Sequence, residues 1–244
     1  MTDRTILALT GADRVAFLQN LVTNDVSGPD PVYTALLTPQ GKFLADFLVV
    51  PQADRLLIDV ATSHAAALGQ RLAMYRLRAD VAIETTDLGV SRGLGEPPEG
   101  AFADPRHPAL GWRRLGDAID DGGIDWDAIR VAHVIPATGI ELTPETYILE
   151  AGFERLNGVD FRKGCFVGQE IVARMKHKTT LRKGLVRVGI DGEAAAGEEI
   201  VSGGRPAGTL HTVSGGAGIA FLRFDRADGA VTPNAKLTVQ PGPD

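Results

Sequence analysis

The spacing of hydrophobic positions changes along the chain, and each change marks an element. Thr5 to Leu9 reads as a short strand that ends in Thr10-Gly11-Ala12-Asp13. Val15, Phe17, Leu18, Leu21 and Val22 then recur at helical spacing, with Thr10 or Asp13 in position to cap that helix. The runs "VYTALL" and "KFLADFLVV" flank Thr38-Pro39-Gln40-Gly41, where Pro and Gly stand as a tight turn wants them, so a hairpin is predicted. "RLLIDVA" is a third strand. Ser63 opens a helix with Leu68, Leu72, Tyr75 and Ala79 on one face, and "VAIETT" follows as another strand. Strand, helix, hairpin, strand, helix, strand is an α+β order, and its hairpin demands antiparallel pairing.

Residues 89–123 are rich in Gly, Pro and Asp and read as an excursion or a connection between subdomains. Trp126 to Ile135 is predicted helical, stopped by Pro136. Beyond Lys183 the texture becomes short strands between Gly-rich turns ("GLVRVGI", "EEIVSGGRPAGTLHTV", "GIAFLRF", "KLTVQ"), the signature of a small β-barrel. The predicted division is therefore 1–183, with a subdomain break near 89–123, and a barrel over 184–244.

Composition narrows the function classes. A net charge of -6 over 244 residues argues against a general nucleic-acid or membrane-surface binder. One cysteine cannot form an internal disulfide. No apolar run is long enough to span a bilayer. The opening "MTDRTILALTGADR" lacks a basic stretch followed by an apolar one, so it does not read as a secretion signal. The expectation is a soluble, cytoplasmic protein with no membrane association.

The candidate chemistry centres on "FRKGCFVGQEIVARMKHK", which holds the single cysteine, Cys165. Glycines on both sides let the backbone present the thiol at a bend. If Gly168-Gln169-Glu170 opens a helix, its N-terminal partial charge favours thiolate, and Arg162 and Lys163 push the same way. The alternative is a buried, inert thiol. No His or Cys partner stands at ligand spacing nearby, so no protein-only metal site is expected. Arg174, Lys176, His177, Lys178, Arg182 and Lys183 form a basic run that either grips a polyanion or is a solvated face. Asp46 lies in an apolar strand: it is either buried with a partner or set on a wet face. Gly203-Gly204 and Gly215-Gly216 lack the Lys and Ser/Thr of a P-loop, and no nucleophile elbow appears.

"KGCFVGQE" closely resembles the K-G-C-[YF]-x-G-Q-E signature of the YgfZ family. These folate-binding proteins are related to the T-protein of the glycine cleavage system (GcvT, aminomethyltransferase) and to a mitochondrial iron–sulfur assembly factor. "LTGADRVAFLQNLVTNDV", "LLTPQGKFLADFLV", "LNGVDFRKGC" and "RPAGTLHTVSGGAGIAFLR" are similar to other family elements, so the resemblance covers nearly the whole chain. It implies a GcvT-like folate-binding fold, with subdomains around a central channel and a C-terminal barrel. It implies a cofactor, tetrahydrofolate or a derivative with or without a polyglutamate tail. The implied role is support of iron–sulfur cluster assembly or repair and of enzymes such as those that methylthiolate tRNA. The implied partners are folate and iron–sulfur proteins or their assembly machinery, without direct nucleic-acid binding. Cys165 transfers as the key functional thiol, and Lys163, Gly164, Gly168, Gln169 and Glu170 transfer as its motif. Asp46 and Arg174 are carried forward as folate contacts.

The alternative that the resemblance carries is an aminomethyltransferase. That enzyme resembles K-x-D-F-I-G-[KR] at the motif and has a pair of aspartates in the hairpin strand. Here the motif has a cysteine and the pair reads Ala45-Asp46. A further departure is "RVAHVIP", where relatives have R-I-A-x-G-[IV]-P. His133 and Val134 are therefore expected to reshape the channel wall.

Overall fold

A computed structural model describes residues 4–117 and 122–240, and the chain divides into two compact units. The first comprises Met1–Ile124 with Phe153–Ala173, and the second Asp125–Gly152 with Arg174–Asp244. The barrel strands begin at Lys183, as the texture of the sequence indicates, but their unit also takes in Asp125–Gly152.

In the first unit β1 (Arg4–Thr10), β2 (Val32–Leu37), β3 (Phe43–Pro51), β4 (Leu56–Ala61) and β5 (Ala82–Thr85) form one sheet in the order β2-β3-β4-β1-β5, antiparallel throughout. The predicted hairpin is β2–β3. The Gly41 N–H closes its turn on Thr38 O at 2.8 Å, and Gly41 has a φ of 74° that only glycine adopts without strain. Leu7, Leu9, Phe47 and Ile58 turn to the face covered by α1 (Arg14–Gln19) and α2 (Thr62–Tyr75). Ile6, Ala8 and Leu57 turn to the other face.

That second face corrects the reading of residues 89–123. β6 (Gly89–Gly93), β7 (Phe102–Ala103) and β8 (Trp112–Gly116) form a three-stranded sheet in the order β6-β8-β7, and Val90 and Leu115 pack on Ile6, Ala8 and Leu57. Residues 118–121 of the stretch lie outside the described part. Strands this short carry too few alternating positions to outweigh their Gly and Pro in the sequence.

Helix ends also differ from expectation. α1 stops at Gln19, and Val22 leaves the helix to bridge Leu36 of β2. Asp13 stands at the cap but makes no side-chain bond to the helix; its carboxylate instead accepts the Asp80 N–H at 2.8 Å. α2 ends at Tyr75, so Ala79 reaches the same core from the following loop.

In the second unit α3 spans Trp126–His133, capped by the Asp125 carboxylate, which accepts the Ala128 N–H at 2.9 Å. It stops two residues earlier than expected because Val134 turns left-handed at φ 49°. Ile135 N–H then closes on Arg130 O at 2.9 Å. Val134 packs with Val131 on Ala217 and Ile219, so in this fold it is a core contact of its own unit. The barrel closes in the order β10-β11-β12-β9-β14-β13, from β9 (Lys183–Gly192), β10 (Glu199–Ser202), β11 (Arg205–Ser214), β12 (Ala217–Arg223), β13 (Val231–Thr232) and β14 (Ala235–Val239). Among the described residues no helix is long and apolar enough to cross a membrane.

Candidate functional site

The cysteine motif is a loop hung from four anchors. The first is Thr23-Asn24, just after α1. The Thr23 hydroxyl donates to Gly158 O at 2.7 Å, and the Asn24 amide donates to Asn157 O at 2.7 Å and Tyr33 O at 2.8 Å. The second is Lys163, whose ammonium donates to Gln19 O and Val22 O, at 2.6 and 2.5 Å, in the turn where α1 ends. A cation there meets the last carbonyl of the helix and one just beyond it, which is a favourable place for it. Burial pulls that ammonium down to about 8, against Asp25 and Asp160, which pull it up. The third anchor is Phe166, which is buried under the Lys163 ammonium, 5.4 Å from the ring centroid.

Gly168 is the fourth. It has a φ of 84°, and a Cβ there would lie 2.6 Å from Thr38 O and 3.1 Å from Gly41 Cα. The turn of the β2–β3 hairpin thus rests directly on the motif glycine. Gly41 has the reciprocal constraint, since its Cβ would lie 2.9 Å from Ile171 Cβ. Two glycines 127 residues apart in sequence are required by one contact. Past it, α4 (Gln169–Lys178) begins, with Glu170 in its first turn.

Between the buried Lys163 and Phe166, Gly164 and Cys165 are both exposed. The alternative of a buried, inert thiol is thereby set aside. The structure gives Lys163 a different occupation from the one expected: its protons are spent on carbonyls, so it holds the loop. Arg162 reaches into solvent, with Asp160 at 3.7 Å. Gly164 has an ordinary φ and open space around it; nothing in the structure requires a glycine there. An exposed thiol on a backbone fixed at both ends can act as nucleophile, ligand or redox partner.

Asp46 is buried, 4% exposed, and accepts the Tyr33 hydroxyl at 3.0 Å. The wet-face alternative therefore fails. Burial, with Asp46 beside it, pushes the Tyr33 phenol well above its ordinary value, so it stays protonated and donates. The Arg106 guanidinium lies 5.7 Å from the Tyr33 ring centroid and begins a ladder of charges. It bonds Asp104 side-on at 2.9 and 2.8 Å; Asp104 takes Arg113 at 2.6 Å; Arg113 reaches Asp59 at 2.6 Å; Asp59 takes Arg4 at 2.6 Å. Burial alone would push both carboxyls up, but the flanking arginines hold Asp104 and Asp59 below the usual carboxylate range. Sequence reasoning missed this ladder. Its middle comes from the Gly- and Pro-rich stretch, where no pattern marks Asp104, Arg106 or Arg113 as interior.

Arg174 belongs to the second unit and is exposed on α4, as are Lys176, His177 and Lys178, so the structure does not bring Arg174 together with Asp46 in one unit. Arg182 is exposed too, while Lys183 at the start of β9 lies 5.1 Å over the Phe221 ring and pairs with Glu150 at 3.7 Å. Among the described residues no group of three or more His, Cys, Asp or Glu is placed to hold a metal ion.

Comparison with known proteins agrees with this architecture. Residues 182–242 match the family described as the CAF17 C-terminal β-barrel domain. The human mitochondrial iron–sulfur cluster assembly factor IBA57 is 29% identical, over 93% of this chain and 77% of its own length. The IBA57 homologue of Mycosarcoma maydis is also 29% identical, over 75% of this chain; the match spans 54% of that longer protein. The crystal structure of aminomethyltransferase T of the glycine cleavage system from Bartonella henselae superposes with a TM-score of 0.78 at 14% identity, covering 98% of this chain and 83% of that one. The fold is thus GcvT-like, α+β, with a closed C-terminal barrel. The relatives' names overturn the expected cytoplasmic location, since the curated relatives are mitochondrial proteins. A lone cysteine reports only that no internal disulfide forms, and it does not separate one reducing compartment from another.

Proposed function

We propose that this chain acts in iron–sulfur cluster assembly, with Cys165 as its working thiol and tetrahydrofolate or a derivative as its bound cofactor. The observation that carries the reading is an exposed thiol held between buried anchors, in a chain whose relatives are named iron–sulfur cluster assembly factors. Thiolate is the usual ligand of iron–sulfur clusters, and one exposed thiol leaves the remaining positions to a partner. The cluster is cargo here, passed to or from the assembly machinery. Client enzymes include those that methylthiolate tRNA.

The donor set around Asp46 fits a pterin in kind, with a carboxylate to accept ring N–H groups and a phenol that orients it. Asp46 would hold the ring; the cofactor, when bound, would supply a carrier for one-carbon units. Lys163 and Gly168 keep the thiol presented and take no part in the chemistry.

The test is a strain that lacks the gene, scored for aconitase and tRNA methylthiolation activity. The natural sequence restores both, and Cys165→Ala restores neither while folding normally. Equal rescue by the two would remove Cys165 from the function. The second reading, aminomethyl transfer to tetrahydrofolate, draws on the retained Asp46. It predicts methylenetetrahydrofolate from an aminomethylated lipoyl carrier protein, and that product with no aconitase defect would replace the first reading.

A further inference from the structure

The sheet of the first unit ends in β5, whose one partner strand is β1. Thr86 N–H donates to Ile6 O at 2.9 Å, which makes Thr86 and Ile6 a hydrogen-bonded pair. By the two-residue alternation of an antiparallel ladder, Glu84 opposite Ala8 is another such pair. The backbone groups of Ile83 and Thr85 therefore point away from β1, along the outer edge of the sheet. Edges of this kind are usually blunted by Pro, Lys, a bulge or a covering helix. β5 is short, at four residues, and its one charge is Glu84; it has no Pro, Lys or bulge, and α2 stands off from it: a cavity of about 450 Å³ opens between them, with Leu7, Ala65 and Ile83 in its wall and Arg76 and Glu84 on its rim.

Side chains on the α2 face of β5 are those of Ile83 and Thr85, opposite Leu9 and Leu7. A strand laid along β5 would send alternate side chains into the cavity, beside Gly69, where a Cβ would meet nothing within 4 Å. A second copy of this chain is a poor occupant in the register centred on Glu84. Two-fold antiparallel pairing of β5 with Ile83 across from Thr85 sets Glu84 against its own counterpart, and like charges directly opposite are destabilising. The same exposed carboxylate suits a cation on a foreign strand.

We propose that β5 and the α2 groove form a docking edge for an extended segment of a partner protein, with Lys or Arg facing Glu84 and small apolar side chains entering the groove. Main-chain bonds to Ile83 and Thr85 supply affinity, and the groove and Glu84 supply selectivity. The surface is separate from the cysteine loop and stands whether or not the iron–sulfur reading holds.

The experiment titrates the full, isotope-labelled chain with two end-capped peptides, Thr-Val-Lys-Val-Thr and the same peptide with Glu at its centre, and follows amide resonances. The Lys peptide should shift the Ile83 and Thr85 amides and bind about fivefold tighter than the Glu peptide. Glu84→Lys should reverse that preference, and Gly69→Leu, which fills the groove, should abolish binding with the fold intact. Equal affinities, shifts confined to other strands, or a wild-type dimer with protected β5 amides would each overturn the proposal. No cluster or folate is present in the titration, so its failure leaves the iron–sulfur reading untouched.

Discussion

The interior of the first unit is crossed by five alternating charges, while the barrel of the second is filled with aliphatic side chains. Arg4, Asp59, Arg113, Asp104 and Arg106 run between the two sheets of the first unit. Val188, Ile200, Leu210, Ala220, Leu222 and Leu237 fill the barrel. The difference follows from closure. A closed barrel pairs every strand on both sides, so its interior can be apolar and still fix one register. Two open sheets packed face to face could slide, and buried ion pairs allow only the arrangement that satisfies them all. Among the described residues of the second unit a comparable feature is Arg130 of α3, which bonds Glu141 at 2.6 Å and the Thr212 hydroxyl of β11 at 3.0 Å.

The comparison can be broken at its strongest point. Arg113→Met removes the central rung and leaves two buried carboxylates with one arginine each; a loss of about 3–5 kcal/mol is expected in the urea unfolding of the first unit. An unchanged midpoint would show that apolar packing alone joins the sheets. Acid sharpens the same point. Asp59 and Asp104 titrate below their unfolded value, so their contribution is complete above about pH 4 and drains away as pH falls through the folded values. The first unit should therefore loosen in acid before the barrel, as read by amide exchange resolved to each unit.

Arg130→Met comes next, at about 2 kcal/mol, because Glu141 keeps the Thr212 hydroxyl and the Ala137 N–H. Gly168→Ala should cost about 1–2 kcal/mol through its φ and its contact with Thr38 O, and should slow alkylation of Cys165 if the loop shifts. Gly164→Ala, one residue from the thiol, should stay within about 0.5 kcal/mol. If the two alanines behave alike, the hairpin does not hold the loop. Val134→Gly is the smallest effect, within about 1 kcal/mol, because relief of the left-handed backbone offsets the loss of a buried side chain.

Much of this was legible without coordinates. The β2–β3 hairpin was readable from its turn residues, the barrel from its evenly spaced short strands, and the bend after Cys165 from Gly168. The corrections fall where a partner distant in sequence wins. Asp13 was expected to cap a helix and instead takes Asp80. Lys163 was expected to act on the thiol and instead closes the end of α1. His133 and Val134 were expected to shape a channel, and Val134 packs against the barrel strand β12.

By itself the sequence determined what is local: where the chain turns, which runs are strands or helices, and where a thiol sits at a bend. These depend on backbone dihedrals and on the period of apolar positions, both written into a few neighbouring residues. The tertiary structure alone decided that Asp46 is buried under Tyr33, that two aspartates and three arginines share an interior, and that Gly41 and Gly168 touch. A buried charge is tolerated only where its partner arrives, and here those partners come from strands far apart in the chain, which meet only once the sheets have packed.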